Sequence, residues 1–347
     1  MKILHITESF GGGVTSAINT YVNNSSQFEH YLFATVRKGD ETGEEDKGGF
    51  ILMKLVSRNA RSISLLYKFI KEVNPDVIHL HSTYAGAIVR LLPFIPKRKI
   101  VYTPHGFSFL RNTNQNIKRT YFLIENILAK RTAVIAGCGL DEKLLAQHFV
   151  HPFKTHEIIN VCDDIDLDSK PSSNSSRPRI VMVGRIANQK GYDFFASVAK
   201  QVTSFADMVW IGGGEASYVK NLEESGVVVT GWIERKSALE HLSNADFYFH
   251  TAAWDGFPIS VLEAAKMNKP MILREIGSFS SEGLHTVNSI DKAIKEIKLL
   301  ACSDALAYQR AKNNYVKINE HHSQENLQRA LNKLYSSFRP SEYELNF

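Results

Sequence analysis

The sequence keeps returning to one unit: a short apolar, β-prone run, a break at glycine or proline, then apolar residues at helical spacing. It is clearest from His250 to Pro270, HTAAWDGFPISVLEAAKMNKP. The run ADFYFHT reads as a strand, Gly256 and Pro258 interrupt it, and Ile259, Leu262, Glu263 and Lys266 follow at helical spacing. Pro258 suits a first helical turn, so the free N–H groups and the positive end of the dipole are expected near Pro258 to Val261, where an anion is favoured. Asp255 before the turn and Glu263 in the second turn are two carboxylates placed to hold hydroxyl groups of a ligand whose phosphates meet the helix end. The stretch reads either as a sugar-nucleotide site or as an ordinary strand-to-helix connection with solvated acids.

A chain of 347 residues has room for two domains of ~150 residues each. Its 44% hydrophobic and 22% charged content are those of a soluble globular protein rather than a disordered or membrane-spanning one. The opening MKILHITESFGGG has too short an apolar run for a signal peptide, and no window approaches the ~20 apolar residues of a span, so a cytoplasmic location is expected. Cys138, Cys162 and Cys302 form no metal or redox motif, which fits a reducing compartment. The net charge of +5 lies wholly in residues 1–164, with 20 Lys+Arg against 15 Asp+Glu, while residues 165–347 carry 21 of each. Clusters at Lys97 to Lys99, Lys118 with Arg119, and Lys130 with Arg131 make either a solvated face or one that meets anionic lipid. No nucleic-acid-binding module is present.

In the first half, KILHIT reads as a strand and Val14, Ala17, Ile18, Tyr21 and Val22 as a helix. Gly11, Gly12 and Gly13 join them, giving either a tight turn or a close approach to a ligand; the spacing is not that of the dinucleotide fingerprint. HYLFATV, ILMKL, the helix SISLLYKFIKEV and the strand DVIHLHS follow, with an acidic loop at 39–49. His79 and His81 share a face, as packed or ligand-facing residues or, failing that, as a metal pair with no further ligand nearby in sequence. RKIVYTPHGFSF ends a strand at Tyr102 or Thr103, which puts His105 in the turn at the edge where open α/β sheets bind ligands. A polar Ser/Pro-rich segment at 165–178 is the expected linker. The acids of Asp164, Asp166 and Asp168 resemble a metal-diphosphate D-x-D, but they run into that linker.

In the second half RIVMVGR leads into IANQKGYD, so Arg185 and Lys190 follow a strand end by way of Gly184 and precede a helix. Two cations beside a helix N-terminus make a diphosphate pocket. Gly212, Gly213 and Gly214 repeat the strand-to-glycine pattern, and VVVTGW ends at Trp232 and Ile233, where the indole lies beside a nucleobase or is buried.

Taken in order, the glycine loop, T-P-H-G at 103–106, Ile159, Asn160 and Asp163, V-G-R with K-G at 183–191, G-G-G-E, G-W, and D-G-F-P-x-x-x-L-E-A at 255–264 resemble the large retaining family four of GT-B glycosyltransferases. The resemblance covers nearly the whole chain. It implies two Rossmann-like α/β domains facing across a cleft, at 1–164 and 179–320, with a terminal helix in 321–347 crossing back to the first. It also implies that Arg185 and Lys190 bind the donor diphosphate, that Glu263 holds the ribose, and that Asp255 and His105 lie beside the donor sugar. Gly12, Gly13, Gly184, Gly213, Trp232, Ile233, Gly256, Phe257, Pro258, Ile259 and Val261 would complete the donor pocket. Three departures stand out: Asp255 replaces a glutamate, Val161 and Cys162 replace Gly-Val, and the region after Glu275 is short.

The expected activity is metal-independent transfer, with retention, from a nucleotide-sugar, UDP favoured, to a glycan or lipid-linked acceptor in bacterial surface polysaccharide synthesis. No metal or other cofactor is expected, and the enzyme would sit in the cytoplasm with peripheral contact to the inner face of an anionic membrane. A nucleotide-sugar epimerase of the same fold and a catalytically silent nucleotide-sugar-binding subunit are the alternatives.

Overall fold

A computed structural model of the chain describes residues 1–8, 10, 12–36, 49–165 and 177–339. Gly11, nearly all of the acidic loop at 39–49, Asp166 and Asp168, most of the 165–178 linker and the tail from 340 lie outside them. The chain divides into two compact units, Met1–Val161 with Ser323–Phe347, and Cys162–His322.

The first unit carries strands β1 (Lys2–Thr7), β2 (Glu29–Val36), β3 (Phe50–Ser57), β4 (Val77–His81), β5 (Ile100–Thr103), β6 (Val134–Gly137) and β7 (Thr155–Glu157). They form one sheet in the order β3-β2-β1-β4-β5-β6-β7, every pair parallel. Parallel neighbours need crossovers, and five of them carry helices: α1 (Gly12–Asn23), α2 (Arg61–Val73), α3 (Thr83–Leu91), α4 (Gln115–Ala129) and α5 (Leu140–Ala146), while the β2-to-β3 connection lies mostly outside the described residues. With helices on both faces, β4 and β5 are buried at every residue, which is why they read as unbroken apolar runs in sequence. The helix α2 ends where Asn74 takes a left-handed conformation and its N–H bonds Ile70 O, with Pro75 barring continuation.

The second unit repeats the plan with β8 (Arg179–Val183), β9 (Asp207–Ile211), β10 (Val228–Val229), β11 (Phe247–His250), β12 (Met271–Arg274) and β13 (Thr286–Val287), ordered β10-β9-β8-β11-β12-β13 and all parallel. Its helices are α6 (Tyr192–Val202), α7 (Ala216–Glu223), α8 (Arg235–Ser243), α9 (Ile259–Lys266), α10 (Gly277–Ser281), α11 (Ile290–Ala301) and α12 (Ala305–His321). The VVVTGW run supplies only the two residues of β10, because Gly231 at φ 70° turns the chain away.

The chain leaves each unit abruptly. Val161 belongs to the core of the first unit and Cys162, its neighbour, to the core of the second. The return is as sharp: His322 is buried in the second unit against Glu282 and Phe257, and Ser323 then caps α13 (Gln324–Ser336). Leu327, Leu331, Leu334 and Tyr335 of that helix are buried with Ile3, Tyr21 and Val77 of the first unit. A helix separated by the whole second unit thus completes the first core. Leu331→Ala should lower the stability of the first unit by about 2–5 kcal/mol in chemical denaturation, with the second unit's transition unchanged.

Candidate active site

At the end of β8, Gly184 adopts φ 145°, and its carbonyl accepts from Trp210 Nε1 at 2.8 Å. A Cβ at Gly212 would overlap that same carbonyl, so two strand ends meet through glycine. Arg185 follows, exposed and with no ion pair among the described residues. One 3-10 turn, Asn188–Lys190, then brings Lys190 back beside Gly184. The loop is stitched to the end of β11: Thr251 Oγ1 donates to Lys190 O at 2.9 Å, Ala253 N to Gln189 O at 2.9 Å, and Arg274 Nη1 to Thr251 O at 3.1 Å. These contacts fix Lys190 with its Nζ 2.5 Å from Asp255 Oδ2. Asp255 Oδ1 in turn accepts from Gly256 N at 3.0 Å.

This carboxylate leads directly into α9. Pro258 is the N-cap, with an extended ψ of 132°, so the helix begins at Ile259 rather than at the proline. No side chain caps it, and the Val261 N–H already bonds Pro258 O at 3.1 Å. The N–H groups preceding that first bond are those of Ile259 and Ser260, a narrower set than the sequence suggests. Val261 is fully buried and faces the core, and Phe257, 2% exposed, packs its ring 3.9 Å from His322 and 5.7 Å from Phe279. Both side chains therefore support the turn from within.

Glu263, one turn further, is 8% exposed and pairs through Oε1 with Arg235 Nη2 at 3.0 Å. Burial pushes its carboxyl up and Arg235 pulls it back. Burial and then the nearby Glu263 push the Cys162 thiol up to about 12, so this cysteine is an inert packing residue. Arg235 escaped the sequence reading; its position opening a helix just after G-W-I-E was the one available signal. Trp232 is 71% exposed, which decides against burial, and the indole lies so close to Gly213 that a Cβ there would come within 2.7 Å of it. Ile233 beside it is 36% exposed. The second unit thus brings Lys190, Asp255 and the start of α9 together, pairs Glu263 with Arg235, and stands Trp232 against Gly213.

In the first unit Gly12 and Gly13 open α1, and a Cβ at Gly13 would meet nothing within 4 Å, so no packing demand calls for glycine there. His105 follows β5 with φ 50°, held by the bond from Gly106 N to the buried Glu142. His79 and His81 are buried, and with His5 they bring ring nitrogens within 4.8 Å of one another, a metal-like grouping. Every one of those nitrogens is already within hydrogen-bond distance of a hydroxyl or another ring, which makes them packed residues. The other such grouping among the described residues, Glu282, His321 and His322, contains the buried His322–Glu282 pair at 3.0 Å.

Residues 11–164 match the family model described as Glycosyltransferase Family 4, and residues 177–301 the one described as Glycosyl transferases group 1. A Klebsiella pneumoniae protein called uncharacterized 41.2 kDa protein in cps region is 30% identical over 82% of this chain and 84% of its own. An Escherichia coli UDP-Gal:alpha-D-GlcNAc-diphosphoundecaprenol alpha-1,3-galactosyltransferase is 26% identical over 63% of this chain and 62% of its own. In fold, the chain is similar to Anabaena HepE in complex with UDP-glucose, with a TM-score of 0.75, 16% identity, and coverage of 97% of this chain and 100% of that one. Two parallel Rossmann-like sheets with glycine-rich strand ends are the α/β plan of GT-B glycosyltransferases. The chain belongs to the group 1, family 4 glycosyltransferases, and is an enzyme of that class.

Removing the cation beside Glu263 tests its ionisation. Arg235→Ala leaves a buried carboxylate unpaired, so its pKa rises further above the unfolded value. The cost is then full where Glu263 is ionised and relieved as pH falls through the raised folded pKa. The stability difference from wild type should be larger at neutral pH than near pH ~5, read by denaturation at the two pH values. Glu263→Gln should weaken nucleotide-sugar binding by calorimetry; unchanged affinity would remove Glu263 from the ribose site.

Proposed function

We propose that the enzyme transfers a sugar from a nucleotide-sugar, a UDP-sugar by preference, to a lipid-linked acceptor in bacterial surface polysaccharide synthesis, with retention and without a metal. The observation that carries this reading is the cation-bearing turn of the second unit: Arg185 exposed, and Lys190 held by Asp255 against the uncapped start of α9. Breaking a sugar–diphosphate bond builds negative charge on the leaving phosphate. Arg185, Lys190 and the Ile259 and Ser260 N–H groups are preorganised to take up that charge without a metal ion. Asp255 holds Lys190 in place through their ion pair. Glu263, held by Arg235, would accept from ribose hydroxyls, with Trp232 and Ile233 beside the base.

UDP is favoured because the HepE structure of this fold holds UDP-glucose and the E. coli relative is named for a UDP-sugar. That relative's name also gives a diphosphoundecaprenol acceptor. Retention is supported by the family resemblance of the motifs.

A lipid acceptor fits the outer surface of α4. The inward face of this helix carries Glu125, bound by Arg90 at 2.8 Å and by the Tyr102 hydroxyl at 3.0 Å, while Ile117, Leu123, Ile124 and Ile127 point outward, each at least 39% exposed. Arg119 and Lys130 flank this apolar face, and the 3-10 turn Lys97–Lys99 adds further cations to the same unit. An exposed apolar stripe among cations suits an anionic bilayer surface, which supports peripheral contact with the inner face of the membrane. No helix of the described residues is long and apolar enough to cross a membrane.

Thermal unfolding with UDP, GDP, ADP or NAD, each with and without EDTA, tests the donor. UDP at ~100 times its dissociation constant should add about 2.7 kcal/mol with EDTA present; stabilisation by NAD alone, or by UDP only with metal, would overturn the reading. Lys190→Ala should reduce turnover by at least ~10²-fold with the fold intact. Leu123→Glu with Ile127→Glu should abolish sedimentation with phosphatidylglycerol-containing vesicles while leaving UDP stabilisation unchanged.

A further inference from the structure

Four buried or half-buried imidazoles run across the first sheet, and transfer chemistry does not account for three of them. His105 Nε2 lies 3.1 Å from His81 Nδ1, His81 Nε2 3.0 Å from His5 Nδ1, and His5 Nε2 3.0 Å from His30 Nδ1. The row ends at His30 Nε2, 2.9 Å from the backbone carbonyl oxygen of Ser25. Its members sit on β2, β1, β4 and the turn after β5, which are successive neighbours in the sheet. His5, His30 and His81 are at most 1% exposed.

A neutral imidazole has one N–H and one lone pair, so each link needs one ring to give and the next to accept. Burial lowers the basicity of all four, that of His105 to about 4, so the rings are neutral near neutral pH. The direction of the row is set at its inner end. A carbonyl only accepts, so His30 must carry its proton on Nε2. The Ser25 hydroxyl does not reverse this, because it donates to Tyr21 O at 2.6 Å and so presents a lone pair to His30 at 3.1 Å. With His30 Nδ1 a lone pair, His5 must donate from Nε2. The same step then applies to His81 and to His105. His79 stands outside the row, since its partners are the Tyr335 and Thr103 hydroxyls, which give or accept and impose no tautomer.

We propose that this row is a tautomer lock: one backbone carbonyl fixes His105 as the Nε2–H form, leaving its Nδ1 an obligate acceptor for a substrate hydroxyl. No described residue donates to that nitrogen. A carbonyl end cannot take up a proton, so the row orients His105 and does not conduct through the core. His81, His5 and His30 are positioning residues. The identity of the hydroxyl rests on the transferase reading; the tautomers do not.

The test is long-range proton–nitrogen correlation spectroscopy on the full chain labelled with 15N-histidine at neutral pH. The four rings should each appear as neutral Nε2–H forms; an Nδ1–H form or an imidazolium in the row overturns the lock. His30→Gln keeps one acceptor and one donor, and should keep His105 as Nε2–H with turnover within about threefold of wild type. His30→Leu removes both, and should give His105 as a tautomer mixture with turnover down about tenfold. A folded His30→Leu protein with His105 still purely Nε2–H overturns the proposal, and if neither variant folds the wild-type spectrum decides. Adding a UDP-sugar, then an undecaprenyl diphosphate-linked sugar, separates the sources of the hydroxyl. A response at His105 Nδ1 to the first assigns the donor, and to the second alone, the acceptor. Locked tautomers with no response to either leave the lock standing and overturn the hydroxyl partner, which is a failure of the functional reading.

Discussion

A parallel strand reaches its neighbour only through a crossover, and this one constraint arranges everything else in the enzyme. Every strand in each sheet ends at the same edge, so the turns that follow them are gathered there whether or not they are near in sequence. In the second unit the turn after β8 carries Arg185 and Lys190, the turn after β11 carries Asp255 and Gly256, and these meet because β8 and β11 pair directly. The glycines serve the same geometry: a Cβ at Gly212 would overlap the Gly184 carbonyl at the end of the neighbouring strand, and Gly184 itself takes a positive φ of 145°.

Burial sets the balance of charge at this edge. A carboxylate as covered as Glu263 is costly to ionise alone, and Arg235 offsets that cost while remaining 63% exposed itself. Lys190 and Asp255, both half-buried, neutralise each other. The arrangement is a cation held in position by a neighbouring carboxylate. In the first unit the same logic is met by neutral rings: burial disfavours the charged form of the histidines, and a neutral ring is useful for the direction of its hydrogen bonds.

Much of this was legible in the sequence because it depends on local chemistry. The alternation of strand and helix, the strand ends at Gly184, Gly212 and Thr103, and the sharp C-terminus of α2 at Asn74 all follow from neighbouring residues. Val261 and Phe257 were less legible: a motif names positions, and only packing shows that these two side chains point into the core. Arg235 was missed because a surface arginine opening a helix has no local mark of a buried partner 28 residues away. His5 and His30 were passed over for the same reason, each an ordinary polar residue in an apolar strand.

The sequence by itself determined the class of fold, the class of enzyme and the chemical types at the turns after β8 and β11, since glycine, proline, period and charge act over a few residues. Tertiary structure decided the pairings: Lys190 with Asp255, Glu263 with Arg235, Trp232 exposed against Gly213, and α13 closing a core begun more than 300 residues earlier. It also decided the histidine row, whose direction is set by a single carbonyl at Ser25. Contacts of this kind depend on sheet order, and sheet order is a property of the folded chain.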